Sequence, residues 1–527
     1  MAYHTTTYLI VFLPLTACIY QLVPRGVRRF VLLFAGYLFY WSISKMLVLF
    51  LIGTSLFTHY ICAWMTWLRK EGMPEAAEEG AQKGVRTERI RREKKILAFG
   101  ILVLLGILGY LKYRGFFVLN WNRLSEKTSC LPLLQQTEAM IPIGISFYTL
   151  QAIGYMTDVY WKRAEVCRHP GKTALFLGFF PQIMEGPICS YAQTADLLWK
   201  GEPIRFHDLS TGSVRILWGL FKKLIIADRL SVLVGAIYGD PSEYSGAQIA
   251  VAAVAYTIQL YMEFSGCMDI VIGSGRIFGI PLPENFRQPF FAEDAADFWR
   301  RWHMTLGVWF RTYVFYPVSL SRAVKRWMAF TKPRFGKTFA KLGTMAMALF
   351  PVWMCNGLWH GPKWSYVFYG MYYFAVLFLT AALEPLRDAC LKKMGIRKEA
   401  VWYRAIRVLK TWVIVFTGEL FFRAEGLREG TGMFLSMFRR FSLRQLDREF
   451  WFSPGLDKAD YLAVIAGCAV VLAVDIMNEK KLLGESGLNG LCMPVRWGIY
   501  YGLLFSVILF GAYGIGYNSV DLIYAGF

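Results

Sequence analysis

The apolar run KILAFGILVLLGILGYL, Lys95–Leu111, indicates the fold class of this chain. Its length approaches the roughly 20 apolar residues with which an α-helix crosses the hydrocarbon core of a bilayer. Similar runs recur at Tyr8–Tyr20, Tyr461–Val474 and Trp497–Gly514. Because backbone groups in lipid must find hydrogen-bond partners within their own segment, such runs form helices. The sequence predicts an all-α, polytopic integral membrane protein with about ten to twelve transmembrane or re-entrant helices.

The composition agrees with this fold class and indicates an orientation. Hydrophobic residues make up 56% of the chain and charged residues only 18%, whereas soluble domains are about one quarter charged. The excess of 58 Lys+Arg over 37 Asp+Glu is concentrated in three loop segments, Arg69–Lys95, Arg322–Lys341 and Lys392–Lys410. Because basic loops stay cytoplasmic, these segments predict the cytoplasmic face and place the N-terminus outside. Charge held in such loops also argues against nucleic-acid binding.

The first apolar run and the cysteines exclude two other interpretations. The run lacks a basic preceding region and a small-residue cleavage site, so we expect a retained span rather than a signal peptide. The ten cysteines are scattered without a C-x-x-C pair. Neither a disulfide framework nor a zinc site is indicated.

The chain is predicted to be a single membrane domain with three parts. Residues 1–139 and 371–527 contain plain N-terminal and C-terminal spans, whereas residues 140–370 mix short apolar runs with Gly, Pro, charged and aromatic residues. Polar groups at membrane depth must be buried in protein or line a wet cavity. Residues 140–370 are therefore the predicted catalytic core. No internal repeat is visible, which disfavours transporters built from inverted halves.

The first histidine motif of this core is FWRRWHMTLGVWFR, Phe298–Arg311. We expect one helix here, with Asp294 or Asp297 available to cap its start. On that helix, His303 would share a face with apolar and aromatic residues. An interfacial amphipathic helix is the alternative; it accounts for the Trp and Arg residues but not for a histidine on the apolar face. The residues predicted to share this face are Trp299, Trp302, His303, Leu306 and Phe310.

The second motif is WMCNGLWHGPKWSYVFYG, Trp353–Gly370. His360 ends an apolar run immediately before a Gly-Pro pair that would break a helix. Asn356 precedes His360 by four residues, so both would lie on one helix face and the amide could orient the ring. The alternative is a buried histidine satisfied by a backbone carbonyl group.

The chemistry open to these two histidines is narrow. Zinc would need three or four ligands, and no further His or paired Cys accompanies them, so we expect no metal. The nucleophile motif G-x-S-x-G is absent from the chain. A neutral imidazole that takes a proton from a hydroxyl as the oxygen attacks an activated acyl group is the chemistry that remains.

Three further polar stretches are candidates for a substrate tunnel. Glu185 lies beside a Gly-Pro pair, which is typical of a broken helix in a membrane. Lys222 and Lys223 could meet phosphates, although snorkelling to the membrane interface is the expected role. Glu263 and Asp269 lie inside an apolar run, where carboxylates are costly and usually face a cavity or a partner.

FWRRWHMTLGVWFR and NGLWHG closely resemble the two histidine motifs of the membrane-bound O-acyltransferase family, in the bacterial branch that contains alginate O-acetyltransferase. The resemblance implies that His360 is the active-site histidine and His303 its partner in a tunnel across the membrane. Asn356, Glu185, Asp269, Trp302 and Trp359 are predicted tunnel residues. Further matching segments, spread over most of the chain, are FAGYLFYW, GYLKY, IPIGISFYTLQAIGYMTDVY, MEGPI, KKLIIAD, FSGCMDIVIG, PENFRQPF and ELFFRAE.

The resemblance also implies a reaction and its participants. It implies acyl transfer from a cytoplasmic donor toward an acceptor outside, with an extracytoplasmic partner transferase of the SGNH-hydrolase type. The donor is expected to be acetyl-CoA or an acyl-carrier protein acting as substrate, with no bound cofactor.

The predicted function is O-acetylation of a cell-surface or secreted polysaccharide by a multi-pass protein of the bacterial plasma membrane. D-alanyl transfer to teichoic acids, which uses both histidine motifs, is the alternative within the family. A polysaccharide or lipid-linked transporter is the alternative of another class, and an assembly platform for a secretion complex is a third. An enzyme leaves an ester on a polymer, whereas a transporter changes only the location of its substrate.

Overall fold

The structure, a computed structural model, describes residues 2–71, 79–128, 132–135, 140–482 and 487–513. Within these ranges the secondary structure is helical, and no strand occurs. The predicted all-α, multi-pass membrane fold is therefore confirmed. Residues 2–213 and 271–283 form one compact unit, and residues 214–270 and 284–513 form a second. The single domain with three parts stays a prediction.

The described part of the first unit contains seven complete α-helices, and an aromatic cluster lies near its N-terminal segment. The Tyr3 and Phe39 rings stack with their centroids 5.4 Å apart, and the Phe12 and Phe180 rings meet edge-on at 5.2 Å. Tyr3, Phe39 and Phe180 are buried, and the ring contacts fix the first helices against one another, because aromatic pairs favour stacked and edge-on contacts. The helices are α1 (Leu13–Leu22), α2 (Arg25–Ser44), α3 (Val48–Glu71), α4 (Glu79–Thr128), α5 (Ile145–Tyr160), α6 (Pro170–Leu177) and α7 (Tyr191–Lys200).

The remaining helices lie wholly or partly in the second unit. They include both histidine motifs and the polar stretches at Lys222 and Asp269. Short π-helical segments at Phe221–Ala227 and Arg311–Phe315 interrupt the regular helices. The helices are α8 (Phe206–Leu220), α9 (Asp228–Gly239), α10 (Gly246–Ile277), α11 (Ala295–Arg301), α12 (Met304–Phe310), α13 (Tyr316–Ser319), α14 (Arg322–His360), α15 (Trp364–Lys393), α16 (Val401–Arg423), α17 (Leu427–Arg439), α18 (Arg448–Phe452), α19 (Lys458–Glu479) and α20 (Met493–Phe510).

Seven helical stretches in the described part of the chain are long and apolar enough to cross a membrane. In α10, 78% of the most apolar 18-residue stretch is buried inside the protein, whereas the corresponding share in the other six is between 6% and 39%. The carboxylates of α10 therefore face protein rather than lipid. The stretches are Arg25–Arg69, Arg86–Thr128, Gly246–Ile277, Arg322–His360, Trp364–Lys393, Lys458–Glu479 and Met493–Phe510, and Thr7–Leu22 is a shorter apolar helix.

The hairpin of α14 and α15 is packed closely at two glycines. A Cβ atom at Gly357 would lie 2.4 Å from the Tyr366 carbonyl oxygen, and one at Gly370 would lie 2.3 Å from the Trp353 carbonyl oxygen. No side chain fits in these positions without moving a helix backbone. Such close approach through small residues is a common way for membrane helices to pack. It holds the end of α14, where His360 lies, firmly against α15.

Candidate active site

His360 is the last residue of α14, as the following Gly-Pro pair predicts. Its imidazole is buried and surrounded by aromatic rings from three helices. The Phe422 ring of α16 meets it edge-on at a centroid distance of 4.9 Å, and the Tyr369 ring of α15 does so at 5.8 Å. Asn356, one turn earlier on α14, is also buried. Its Oδ1 has no hydrogen-bond partner among the described residues, so its role in orienting His360 stays a prediction.

His303 lies at a break between two short helices, and the expectation of one continuous helix over Phe298–Arg311 was wrong. Helix α11 ends at Arg301 and α12 begins at Met304. Between them, His303 adopts a left-handed conformation with φ of +44°. Residues other than glycine rarely adopt this conformation, so the surroundings must enforce it. The predicted cap is confirmed at Asp294, whose side chain accepts a hydrogen bond from the Asp297 backbone N–H.

Asn285 enforces this break. The Asn285 side chain is fully buried. Its Oδ1 accepts hydrogen bonds from the backbone N–H and the hydroxyl of Thr305 at 3.0 and 2.9 Å, and its backbone carbonyl accepts one from the Met304 N–H at 2.9 Å. These groups lie at the start of α12, where helix N–H groups lack intrahelical partners. Asn285 thus caps α12 from a distant loop and turns the chain at His303.

The same amide oxygen determines the protonation of His303. His303 Nδ1 lies 3.2 Å from Asn285 Oδ1. The Thr305 backbone N–H donates a hydrogen bond to the same Asn285 atom, so that atom is the amide oxygen and not the nitrogen. Because an amide oxygen only accepts hydrogen bonds, His303 Nδ1 carries the proton. Nε2 is then the basic nitrogen of the ring. Burial lowers the pKa of the His303 imidazole to about 3, so the ring is neutral at physiological pH.

The two histidines line one cavity of about 380 Å³ in the second unit. Trp302 and Asn356 line it with them, whereas Trp359 is not among the lining residues and instead packs against both histidine rings. The Trp359 ring centroid lies 5.5 Å from that of His303 and 4.9 Å from that of His360. The lining residues are Ala296, Trp299, Arg300, Trp302, His303, Leu306, Gly307, Phe310, Arg311, Phe315, Leu349, Val352, Trp353, Asn356, His360 and Leu377. A mostly apolar cavity with a few convergent polar groups is typical of a small-molecule site.

The sequence of the chain is similar to those of known proteins. Residues 172–331 match the sequence pattern described as MBOAT, membrane-bound O-acyltransferase family. The chain is 30% identical over 490 residues to the probable alginate O-acetylase AlgI of Pseudomonas syringae pv. tomato. This match covers 92% of this chain and 85% of that protein. The chain belongs to the membrane-bound O-acyltransferase family. It is therefore an acyltransferase embedded in a membrane.

Two further relatives of this membrane-bound O-acyltransferase are matched over about half their length. The peptidoglycan O-acetyltransferase of Helicobacter pylori is 28% identical over 301 residues, 52% of this chain and 53% of that protein. The teichoic acid D-alanyltransferase of Bacillus subtilis is 28% identical over 237 residues, 44% of this chain and 56% of that protein.

A second cavity of the O-acyltransferase, about 270 Å³ in volume, holds Asp269. Asp269 accepts from Arg215 Nε at 2.5 Å and pairs with Lys222 Nζ at 2.5 Å. Asp269 therefore faces both a cavity and cationic partners, as its position in an apolar run predicts. Asn285 also lines this cavity, so one side chain contacts His303 of the first cavity and borders the second.

The expected snorkelling of Lys222 and Lys223 was wrong. Both side chains are buried, because carboxylates inside the protein pair with them. Lys223 Nζ lies 2.7 Å from Asp228 Oδ1 and 3.4 Å from Glu263 Oε1. Buried charges persist when they are paired in this way, so neither lysine needs the membrane interface.

Glu185 belongs to the other unit of the O-acyltransferase. It is buried within a turn-rich stretch between α6 and α7, which confirms a broken helical path beside its Gly-Pro pair. A Cβ atom at Gly186 would lie 2.2 Å from the Gln182 Cα atom, so the turn requires glycine. Its place in a substrate tunnel stays a prediction, as do the catalytic roles of His303 and His360.

The structure adds two residues of the O-acyltransferase that the sequence interpretation did not single out. Asn285 and Glu419 are both buried polar residues near the histidine cavity. Each lies inside a segment that matches the family, PENFRQPF and ELFFRAE. The available signal was a polar residue next to an aromatic or apolar one, Asn285 before Phe286 and Glu419 before Leu420, but their partners could be identified only from the fold.

Proposed function

We propose that this enzyme acetylates hydroxyl groups of a cell-surface or secreted polysaccharide from the plasma membrane of a bacterium. The observation that carries the proposal is the shared cavity of His303 and His360, in a chain related over most of its length to an alginate O-acetylase. A second relative is named for O-acetylation of peptidoglycan, which supports a polysaccharide acceptor.

The proposed donor is a thioester, either acetyl-CoA or an acyl-carrier protein on the cytoplasmic side. The acceptor oxygen attacks the thioester carbonyl carbon while the histidine accepts the hydroxyl proton. The carbon–sulfur bond then breaks, and the imidazolium returns the proton to the departing sulfur. We assign the base role to His360 and proton handling to His303, whose Nε2 is the basic nitrogen. An apolar, water-poor cavity favours transfer over hydrolysis.

The proposal includes a partner transferase of the SGNH-hydrolase type outside the membrane. An acyl group delivered across the membrane must reach a polymer that cannot enter a cavity of about 380 Å³. A partner that receives the acyl group on its own hydroxyl and passes it to the polymer resolves this difference in size. Both transfers conserve one ester or thioester bond, so neither needs a further co-reactant.

A second candidate function is D-alanyl transfer to teichoic acids. It is favoured by the similarity to the Bacillus subtilis teichoic acid D-alanyltransferase. The same two histidines would serve, because the reacting bond is again an ester formed from an activated acyl group.

The deciding experiment measures ester-linked acyl groups on envelope and secreted polysaccharide after deletion of the gene and complementation. Mild alkali releases the groups for identification. We expect acetate to disappear on deletion, return with the wild-type chain and stay absent with His360→Ala. The matched control is His207→Ala, because His207 is exposed and lies outside the histidine cavity. Alanine lost in place of acetate would favour the second candidate, and acetate restored by His360→Ala would contradict the assignment of the base.

A further inference from the structure

Glu419 is a buried carboxyl group of α16 to which the proposed reaction assigns no role. Its side chain is 1% exposed, and it precedes Phe422 by three residues on the same helix face. The hydroxyl of Tyr369, on α15, donates a hydrogen bond of 3.0 Å to Glu419 Oε1. Within the described part of the chain, Oε2 has no hydrogen-bond partner. A buried carboxyl group with one donor is costly, so it needs a reason to be there.

Two residues associated with this turn of α16 contact His360: Phe422, on the turn itself, and Tyr369, which is bonded to Glu419. Phe422 meets the His360 ring edge-on at 4.9 Å, and Tyr369 meets it edge-on at 5.8 Å. The Phe422 and Tyr369 rings also contact each other, with centroids 5.0 Å apart. One turn of α16 therefore supports two sides of the His360 ring, one through Phe422 and one through the bond from Glu419 to Tyr369.

We propose that Glu419 is a positioning residue for His360, acting through the hydroxyl of Tyr369. The hydrogen bond stops the Tyr369 ring from rotating away, and the fixed ring limits the orientations of the His360 imidazole. A general base must meet its proton donor within hydrogen-bond distance, so a loose ring lowers the rate of the chemical step. This inference rests on the proposed function of His360.

The first test compares Glu419→Ala, Glu419→Gln, Tyr369→Phe and the double variant Glu419→Ala/Tyr369→Phe. In membranes containing the full-length chain, we measure acetyl transfer from labelled acetyl-CoA and, in cells, the incorporation of labelled acetate into alkali-labile esters, both per inserted protein. We expect Glu419→Ala and Tyr369→Phe to lower the maximal rate about 10- to 100-fold, with the half-saturating donor concentration unchanged. Glu419→Gln keeps an acceptor oxygen and should retain most activity. The double variant should lose no more than the worse single variant, because the two residues act through one bond.

The matched control is Tyr372→Phe. The Tyr372 hydroxyl also joins α15 to α16, through a bond of 2.9 Å to the Ile414 carbonyl oxygen, and Tyr372 does not line the histidine cavity. Thermal unfolding of each variant in detergent separates loss of stability from loss of rate. If Glu419→Ala fails to fold, Tyr369→Phe decides, because it removes a single oxygen atom.

The inference is overturned if Tyr369→Phe is no slower than Tyr372→Phe, or if the losses of the two single variants multiply in the double variant. Failure of the proposed function has a different signature. In that case His360→Ala would retain the ester content of the wild type, or the wild-type chain would produce none. If the wild type is active, His360→Ala is inactive and Tyr369→Phe is fully active, only the proposed role of Glu419 is wrong.

Discussion

The side chain of Asn285 performs two tasks with one oxygen atom. It caps α12 through Thr305 and accepts the Nδ1 proton of His303. The first task fixes the backbone at a left-handed histidine, and the second fixes which ring nitrogen is basic. A group that fixes the tautomer and the orientation of a functional histidine contributes to its reactivity.

Replacement of Asn285 by Leu should therefore lower acyl transfer by about 10- to 100-fold, with a loss of stability of about 1–3 kcal/mol from the unpaired Thr305 N–H. Asn285→Asp keeps the acceptor oxygen and should retain more activity than Asn285→Leu. The added anion would also raise the pKa of His303, so its rate should fall as the pH is lowered into the range where the imidazole becomes protonated. Ester formation measured against pH for both variants tests this; equal activity of Leu and Asn at position 285 would contradict it.

The hairpin of α14 and α15 shows how packing between elements places His360. Its two glycines allow the helices to approach until a Cβ atom would collide with a carbonyl oxygen. The neighbouring aromatic residues then close around the imidazole from α15 and α16. The position of His360, the proposed base, therefore depends on the packing of Gly357 and Gly370 as well as on the rings that contact it.

Gly370→Ala should separate α14 from α15 and reduce both thermal stability and acyl transfer. The added Cβ atom would lie 2.3 Å from the Trp353 carbonyl oxygen, so a helix backbone must move. Overpacking of this kind commonly costs about 1–3 kcal/mol. Gly235→Ala is the matched control, because Gly235 is also helical and has open space at its Cβ position. Equal melting temperatures and rates for the two variants would show that the hairpin tolerates separation.

The elements also show where local sequence patterns are sufficient. The apolar runs predict the membrane helices, and the Gly-Pro pair after His360 predicts the end of α14. Helical periodicity placed Trp299, Trp302 and His303 on one face, and all three line the cavity, but Arg300 and Arg311 line it too. It could not predict the break at His303, because the groups that stabilise the break belong to Asn285, in a loop before α11.

Across the second unit, charge is paired inside the protein. Arg215 and Lys222 share Asp269, while Lys223 lies between Asp228 and Glu263. The sequence around Lys222 and Lys223 does not contain the α10 carboxylates that pair with them. Both lysines were therefore expected at the membrane interface. Burial of both partners follows only from the packing of α8 and the π-helical segment against α10, and this arrangement is a property of the whole unit.

Lys223→Met should destabilise the protein by about 3–5 kcal/mol, because it leaves the carboxylates of Asp228 and Glu263 buried without their cation. Adding Asp228→Asn and Glu263→Gln to Lys223→Met should restore part of the loss, since the unpaired charges are removed. Thermal unfolding of detergent-solubilised protein, with membrane insertion measured in parallel, tests both expectations. A Lys223→Met variant as stable as the wild type would mean that the buried pairs contribute no net stability.

The position of Trp359 has a spectroscopic consequence. Its indole ring lies beside both imidazoles, at centroid distances of 4.9 and 5.5 Å. An indole next to a histidine emits less light when the imidazole becomes cationic. The difference in fluorescence between the wild type and a Trp359→Phe chain would therefore follow proton movement within the cavity as it occurs. Trp359 is therefore an intrinsic fluorescent reporter at the site of the proposed acyl transfer.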